Sequence, residues 1–326
     1  MSKEGEGMMF EDSDKRCFLV AGGAGFLGSA LCRELVKRGH SVWYISRSVD
    51  NGIVPGAVHI KQDIVEGVWL DYPLDYIIHL ASYVSPRDFL KHPEETLLTN
   101  SEGTRNLLFL AKKKEAKFLY ISSARVYRGE DPTEERAVYE QAKRFGEALT
   151  ATRGRLDKID ARIVRLWSTY GPGCRINDGH VIPEFIRQAL TNKTIEILGG
   201  SQRAHFNYID DVIDGLCRVI FQNSGSIKPI DLGTRESIAI NDLAKLIIGL
   251  CGSLSPLIQR PFWINDEQSP DIFKMRELNW KPRVGYLTGL VKTIDYFKEI
   301  GNVQASLNFN VGVDVGVEST AKCISS

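Results

Sequence analysis

Residues 17–28 read CFLVAGGAGFLG, an apolar run that ends in glycines at 22, 25 and 28 just where a helical pattern begins at Phe26. Glycines spaced GxxGxxG at a strand-to-helix junction allow a tight turn and close packing of helix on strand. They also let a pyrophosphate approach the backbone while the helix N-terminus offers unpaired N–H groups to the anion. This junction predicts a strand–turn–helix unit that binds a dinucleotide.

The rhythm it starts continues for half the chain. A helix from Phe26 to about Arg38 is followed by HSVWYIS (40–46), AVHIKQD (57–63) and LDYIIHLA (74–81), then a helix from about Glu94 to Lys114, KFLYISS (117–123), a helix carrying Tyr139, and ARIVRLW (161–167). Near-continuous apolar strands separated by helices predict a parallel sheet covered on both faces, a doubly wound α/β domain of Rossmann type over 16–168. Beyond Thr169 the pattern changes to the Gly-rich GPGCRINDGH, a helix from about Pro183, TIEILGG (194–200) and the amphipathic LTGLVKTIDYFKEI (287–300). Residues 169–300 are expected to form mainly a smaller α/β substrate-binding cap, with part of 204–234 returning to the first domain. Residues 1–15 read as a disordered leader and 301–326 as a tail.

Forty-one basic and 41 acidic residues cancel, so no net field favours nucleic acid or an anionic membrane, and a small-molecule partner is expected. The first residues lack the apolar core of a signal peptide, and no apolar run approaches the ~20 residues of a membrane helix. Six scattered cysteines without metal-like spacing fit reduced thiols of a cytoplasmic enzyme with no metal site.

The second strand ends YISRS, giving Ser46, Arg47 and Ser48 where a carboxylate would accept the adenosine ribose hydroxyl. A guanidinium flanked by hydroxyls suits a 2′-phosphate, which favours NADP(H). NAD(H) remains possible if Arg47 is merely solvated and Asp63, ending the third strand, contacts adenine. The carboxyl ends of parallel strands face the ligand crevice, which brings Ser122 and Ser123 near the cofactor. Sixteen residues after Ser123 comes Tyr139, and Lys143 lies one helical turn further on the same face.

With these motifs the chain resembles the extended short-chain dehydrogenase/reductase superfamily, in its sugar-nucleotide epimerase/dehydratase branch, from about Cys17 to Tyr296. The resemblance is carried by GGAGFLG, IIHLAS, TNSEGTRNLL, YISSARVY, YEQAK, RLWSTYGPG, VIPEFIRQAL, NYIDDV and SPDIFKMRELNWKP. It implies Tyr139 as acid/base, Lys143 as the charge that stabilises its anion and touches the nicotinamide ribose, and Ser123 as the group that orients the reacting oxygen. It further implies cofactor contacts from Gly22, Gly25, Phe26, Leu27, Gly28, Ser46, Arg47, Asp63, Ile64, Leu80, Ala81, Ser82 and Asn100. Substrate contacts are implied for Ser82, Ser123, Ser168, Val181, Phe185, Arg203 and Arg260. Val181 and Phe185 equally suit a core, Arg203 and Arg260 equally suit the surface, and Asn100 equally suits a polar contact within the helix. His79, inside an apolar strand, reads as a core histidine.

The chain departs from the family pattern in four ways. Ala124 and Arg125 stand where dehydratases and decarboxylases carry an acid, Ser168 replaces an asparagine, Ala204 fills an arginine position with Arg203 shifted by one, and the loop from Tyr127 to Tyr139 is short. The leading expectation is an NADP(H)-dependent 4-ketoreductase or dehydrogenase acting on a nucleotide-linked sugar. A 4-epimerase with tightly held NAD is the alternative, and a non-catalytic cofactor sensor a third. A homodimer through the 94–114 and Tyr139 helices is expected from the resemblance.

Overall fold

A computed structural model describes residues 14–48, 53–128, 131–134, 137–223, 225–261 and 268–311. The leader up to residue 13, the end of the tail from 312 and Cys323 lie outside the described residues. Strands β1 (Cys17–Ala21), β2 (Ser41–Ser46), β3 (Val58–Lys61), β4 (Tyr76–His79), β5 (Lys117–Ser123) and β6 (Ala161–Leu166) enter one sheet. With Ile230–Leu232 added beside β6, the order is 3-2-1-4-5-6 followed by that late strand, every pairing parallel. The sheet is therefore wound in both directions from β1, and the crevice between β1 and β4 is its topological switch point.

Alternation along β1 builds both layers. Phe18 and Val20 pack into one core with helix α1 (Phe26–Lys37), while Leu19 and Ala21 pack into another that includes Leu107, Leu108, Leu110 and Ala111. Two short helices, α2 (Pro86–Lys91) and α3 (Pro93–Leu98), lead into α4 (Thr104–Lys114), and α5 (Ala137–Leu156) follows β5. The first core continues without a break into the second half of the chain, taking in Phe185, Leu243, Ile247, Leu290 and Ile294. The two halves are thus fused through shared apolar surface.

The structure differs from the sequence reading at two helices. The segment expected as one helix over 94–114 holds a π-helical turn at Thr99–Gly103 between α3 and α4. There Asn100 is fully buried, and a side chain at Gly103 would overlap Ile64, so tertiary packing dictates the extra residue in the turn. The last helix runs over Tyr286–Val311, past the expected end near 300. Once a helix is nucleated, each added residue costs little, and no apolar stripe is needed to extend it. Among the described residues no helix is long and apolar enough to cross a membrane, and no group of three or more His, Cys, Asp or Glu could hold a metal ion.

Candidate active site

A cleft of about 560 Å³ opens along the carboxyl ends of β1, β2, β4, β5 and β6. Its floor is the glycine turn. Gly22 has φ +84°, and a Cβ there would stand 2.6 Å from the Ala81 backbone nitrogen; a Cβ on Gly28 would overlap the Gly22 carbonyl oxygen. Only glycine fits this close approach of the turn, α1 and the end of β4. Helix α1 starts at Gly25 with no capping side chain and no acidic residue in its first turn, so its N-terminal N–H groups and positive dipole end are available to a phosphate. The turn fits the pyrophosphate of a dinucleotide on this geometry.

At the end nearest β2 and β3, Ser46, Arg47, Ser48, Asp63 and Ile64 line the cleft. The Ser46 hydroxyl donates to the Ser48 carbonyl (2.8 Å) and lies 2.7 Å from His59 Nε2. Arg47 donates to the Tyr83 hydroxyl at 2.6 Å and lies 4.8 Å over its ring. Asp63 accepts the Val65 N–H at 2.9 Å, which closes its turn.

The chemical groups converge at the other end. Tyr139 and Lys143 project from α5 and are 5% and 2% exposed. Lys143 Nζ donates to the Ile121 carbonyl of β5 at 2.8 Å and lies 5.9 Å from the Tyr139 ring centre. Phe89 of α2 stacks on Tyr139 at 5.4 Å and 14°. Burial raises the Tyr139 phenol above its ordinary value, against the lowering pull of its hydrogen bond with Ser123 and of the Arg125 charge. Burial also brings the Lys143 ammonium down to about 7, with the Glu147 carboxylate pulling upward. Glu147, one turn beyond Lys143, accepts from Ser122 (2.6 Å) and grips Arg165 through both oxygens (2.7 and 2.6 Å). Ser122 thus serves this scaffold, while Ser123 lines the cleft and hydrogen-bonds Tyr139.

Asn100 supports the site without lining it. It donates to Ser82 (2.9 Å) and to the Thr96 carbonyl (2.8 Å) and accepts from Tyr120 (2.9 Å). His79 is fully buried, and burial with the nearby Lys143 charge pushes it down to about 3, so it is a neutral core ring bonded to Thr104 at 3.1 Å.

Gly22, Gly25, Phe26, Leu27, Gly28, Leu80, Ala81, Ser82, Ser123, Ser168 and Arg203 all line the same cleft. Three expected substrate residues do not. Phe185 is buried in the core and Val181 packs against it, because α6 (Val181–Leu190) turns its apolar stripe inward. Arg260 ends a strand paired in parallel with Ile195–Leu198 and forms an ion pair there with Glu196. Sequence reasoning missed Tyr83, Asp88, Trp167, Arg175, Asp178, His180, His205 and Gln268, which also line the cleft. The one signal for them was the Gly-rich GPGCRINDGH loop, whose Arg175 reaches Asp88 at 3.1 Å across 87 positions.

Residues 18–233 match the family model described as "NAD dependent epimerase/dehydratase family". UDP-glucuronic acid decarboxylase 1 of Danio rerio is 35% identical over 311 residues, covering 88% of this chain and 73% of that protein. UDP-glucuronic acid decarboxylase 1 of Arabidopsis thaliana is 32% identical over 308 residues, covering 86% and 69%. Among solved structures, an epimerase from Methanothermobacter thermautotrophicus superposes with TM-score 0.78 at 26% identity, covering 91% of this chain and 96% of that one. The UDP-glucose 4-epimerase of Thermotoga maritima, solved with UDP-glucose, gives TM-score 0.76 at 25% identity, covering 87% and 99%.

Proposed function

The chain belongs to the NAD dependent epimerase/dehydratase family, and from that premise we propose that it oxidises and re-reduces a ring carbinol of a nucleotide-linked sugar, at C4, with NAD held as a resident cofactor. This is chemistry of the 4-epimerase type. What supports the reading above all is that Ser123, Tyr139 and Lys143 line one cleft with the glycine turn. The dinucleotide, when bound, supplies the acceptor and donor of the hydride. Tyr139 removes the carbinol proton as its phenolate and later returns it, Ser123 orients the oxygen, and the Lys143 ammonium stabilises the phenolate.

Elimination demands a further acid and base beside the ring, and decarboxylation needs a proton donor for the enolate that loss of CO2 leaves. The carboxylates lining the cleft among the described residues are Asp63, Asp88 and Asp178. Asp63 holds its own turn, Asp88 pairs with Arg175, and Asp178 pairs with His180 at 2.9 Å. Beside Ser123 stand Ala124 and Arg125, and a guanidinium is too weak an acid to protonate a ring carbon. The relatives' decarboxylase activity is therefore not carried over.

A second reading, an NADP(H)-dependent 4-ketoreductase or dehydrogenase, is favoured by Arg47 and the missing carboxylate at the end of β2. Denaturing the purified protein and identifying the released dinucleotide separates the two. Close to one NAD per chain supports the resident-cofactor reading; an empty protein that takes up NADPH overturns it. In the second case Arg47→Ala should weaken NADPH by about tenfold to a hundredfold while sparing NADH. In the first, Arg47→Ala changes both affinities by less than about threefold, as expected of a mostly solvated cation. A non-catalytic sensor would bind cofactor and turn over no sugar nucleotide at all.

We also propose a homodimer. Leu98 and Phe109 on the α3–α4 side and Phe145 and Leu156 on α5 are 43%, 65%, 54% and 70% exposed, and α3 and α4 both pack beside α5. These positions form apolar stripes that two copies would bury as a four-helix bundle. Sedimentation should give a dimer at micromolar concentration, and Phe109→Glu with Phe145→Glu should give a monomer; a wild-type monomer contradicts the proposal.

A further inference from the structure

Helix α2, only six residues from Pro86 to Lys91, stands between two parts of the cleft that lie far apart in the chain. Its start is fixed: Ser85 caps it by accepting the Asp88 N–H at 3.0 Å, and Pro86 fills the first helical position. On one side it is tied to the GPGCRINDGH loop, whose Arg175, Asp178 and His180 line the cleft. Arg175 donates to Asp88 at 3.1 Å, and Arg87 donates to the Asn177 carbonyl at 3.3 Å and lies 3.9 Å from Glu184 of α6. On the other side Phe89, fully buried, stacks on Tyr139 with ring centres 5.4 Å apart and planes 14° apart. The Arg125 guanidinium lies 5.7 Å from the centre of the same Phe89 ring, and the Arg125 backbone N–H donates to Ser123 Oγ at 3.3 Å. A short capped strut thus joins the loop to the phenol that performs the proton transfer.

The Tyr139 oxygen lies on the long axis of its ring, so a swing of the ring toward or away from Phe89 carries the oxygen with it. A flat, buried neighbour fixes that coordinate. Proton transfer needs the phenol within about 2.6–3.2 Å of the carbinol, and a displacement of about 1 Å costs on the order of a hundredfold in rate. We propose that Phe89 is a positioning residue for Tyr139, and that α2 makes this alignment depend on the loop through the Arg175–Asp88 and Arg87–Asn177 ties. A ligand that holds the loop against α2 therefore also sets the phenol. The inference rests on the Ser123, Tyr139 and Lys143 reading above and names what regulates that site.

The test is a cycle of two variants of the whole enzyme. Phe89→Leu removes the ring and keeps an apolar side chain, while Arg87→Met with Asp88→Asn removes both ties. The tie variant strands no buried charge, since Arg175 is 66% exposed and Glu184 keeps Arg187. Turnover is followed with UDP-glucose, UDP-galactose and UDP-N-acetylglucosamine. Phe89→Leu should lower kcat about tenfold to a hundredfold, with KM and NAD affinity within about threefold. The tie variant should lower kcat about threefold to tenfold in wild type and less than about twofold on Phe89→Leu, because its effect passes through the missing ring. A second readout needs no substrate. In protein carrying isotope-labelled carbon at tyrosine Cζ, the Tyr139 NMR signal is identified by its absence from Tyr139→Phe. That signal should move in the tie variant and stay in place when the same changes are made on Phe89→Leu. Equal losses from the ties in both backgrounds, or a Tyr139 signal that the tie variant leaves unmoved, overturn the inference. So does a Phe89→Leu enzyme with kcat within about threefold of wild type, or one whose NAD affinity falls in step with kcat. Should Phe89→Leu not fold, the tie variant alone decides: a moved signal with lowered kcat upholds the inference, and no change in either overturns it. Turnover of none of the three sugars by wild type counts against the sugar-nucleotide reading, and the NMR signal then decides this inference by itself.

Discussion

Tyr139→Phe lowers kcat by about a thousandfold or more and leaves dinucleotide affinity within about threefold. The variant deletes one oxygen from a ring that Phe89 already holds by stacking, so the pocket keeps its shape. What is lost is the phenol that hydrogen-bonds Ser123 and lies beside Lys143. Proton transfer by a positioned group contributes about 10²–10⁴-fold, and here the same group acts in both directions of the reaction. Stopped-flow turnover with a sugar nucleotide and fluorescence titration of the cofactor measure the two quantities separately. Activity within tenfold of wild type would remove Tyr139 from the chemistry.

Lys143→Met is expected to cost at least about a hundredfold at pH 8 and to reshape the pH profile. Tyr139 and Lys143 hold two protons between them at low pH. Burial brings Lys143 to about 7 and raises Tyr139 above its ordinary value, so the first proton leaves the pair near pH 7. The singly protonated pair includes the phenolate–ammonium form that accepts a carbinol proton. For wild type, kcat/KM for sugar oxidation therefore rises as pH passes upward through about 7 and then levels. In Lys143→Met only the buried phenol titrates, and the rise moves above pH ~10. Loss of the lysine should also weaken the cofactor, as the ammonium is a buried cation beside Tyr139 that borders the cleft. A variant that retained the inflection near 7 would assign it to another group.

The parts of this site that were legible in the sequence are those whose signal is local. The glycines at 22, 25 and 28 are read from one junction, and the Tyr139/Lys143 pair from one helical turn. The strands β1, β4, β5 and β6 announce themselves because a strand buried on both faces must be apolar at every position. Residues whose role depends on distant partners were not legible. Arg260 was eligible as a phosphate ligand until β-pairing set it against Glu196, 64 positions away. Phe185 looked available until α6 turned inward, and the π turn at Thr99–Gly103 follows from packing against Ile64 that no local propensity encodes. The cleft mouth is likewise built from long-range pairs, Arg87 with Asn177 and Arg175 with Asp88. At the end of β2 the residue types were legible and their meaning was not: Arg47 suits a 2′-phosphate, yet in the structure it stacks on Tyr83.

If one cleft oxidises a sugar carbinol at C4 and returns the same hydride to it, a label at that carbon survives turnover. The direct test is to supply a UDP-sugar carrying deuterium at C4, with no added cofactor, and to follow the product by NMR. The expected product has inverted configuration at C4 and the deuterium still at that carbon. A product that has lost the label, or turnover only when NADPH is supplied in stoichiometric amount, would contradict it.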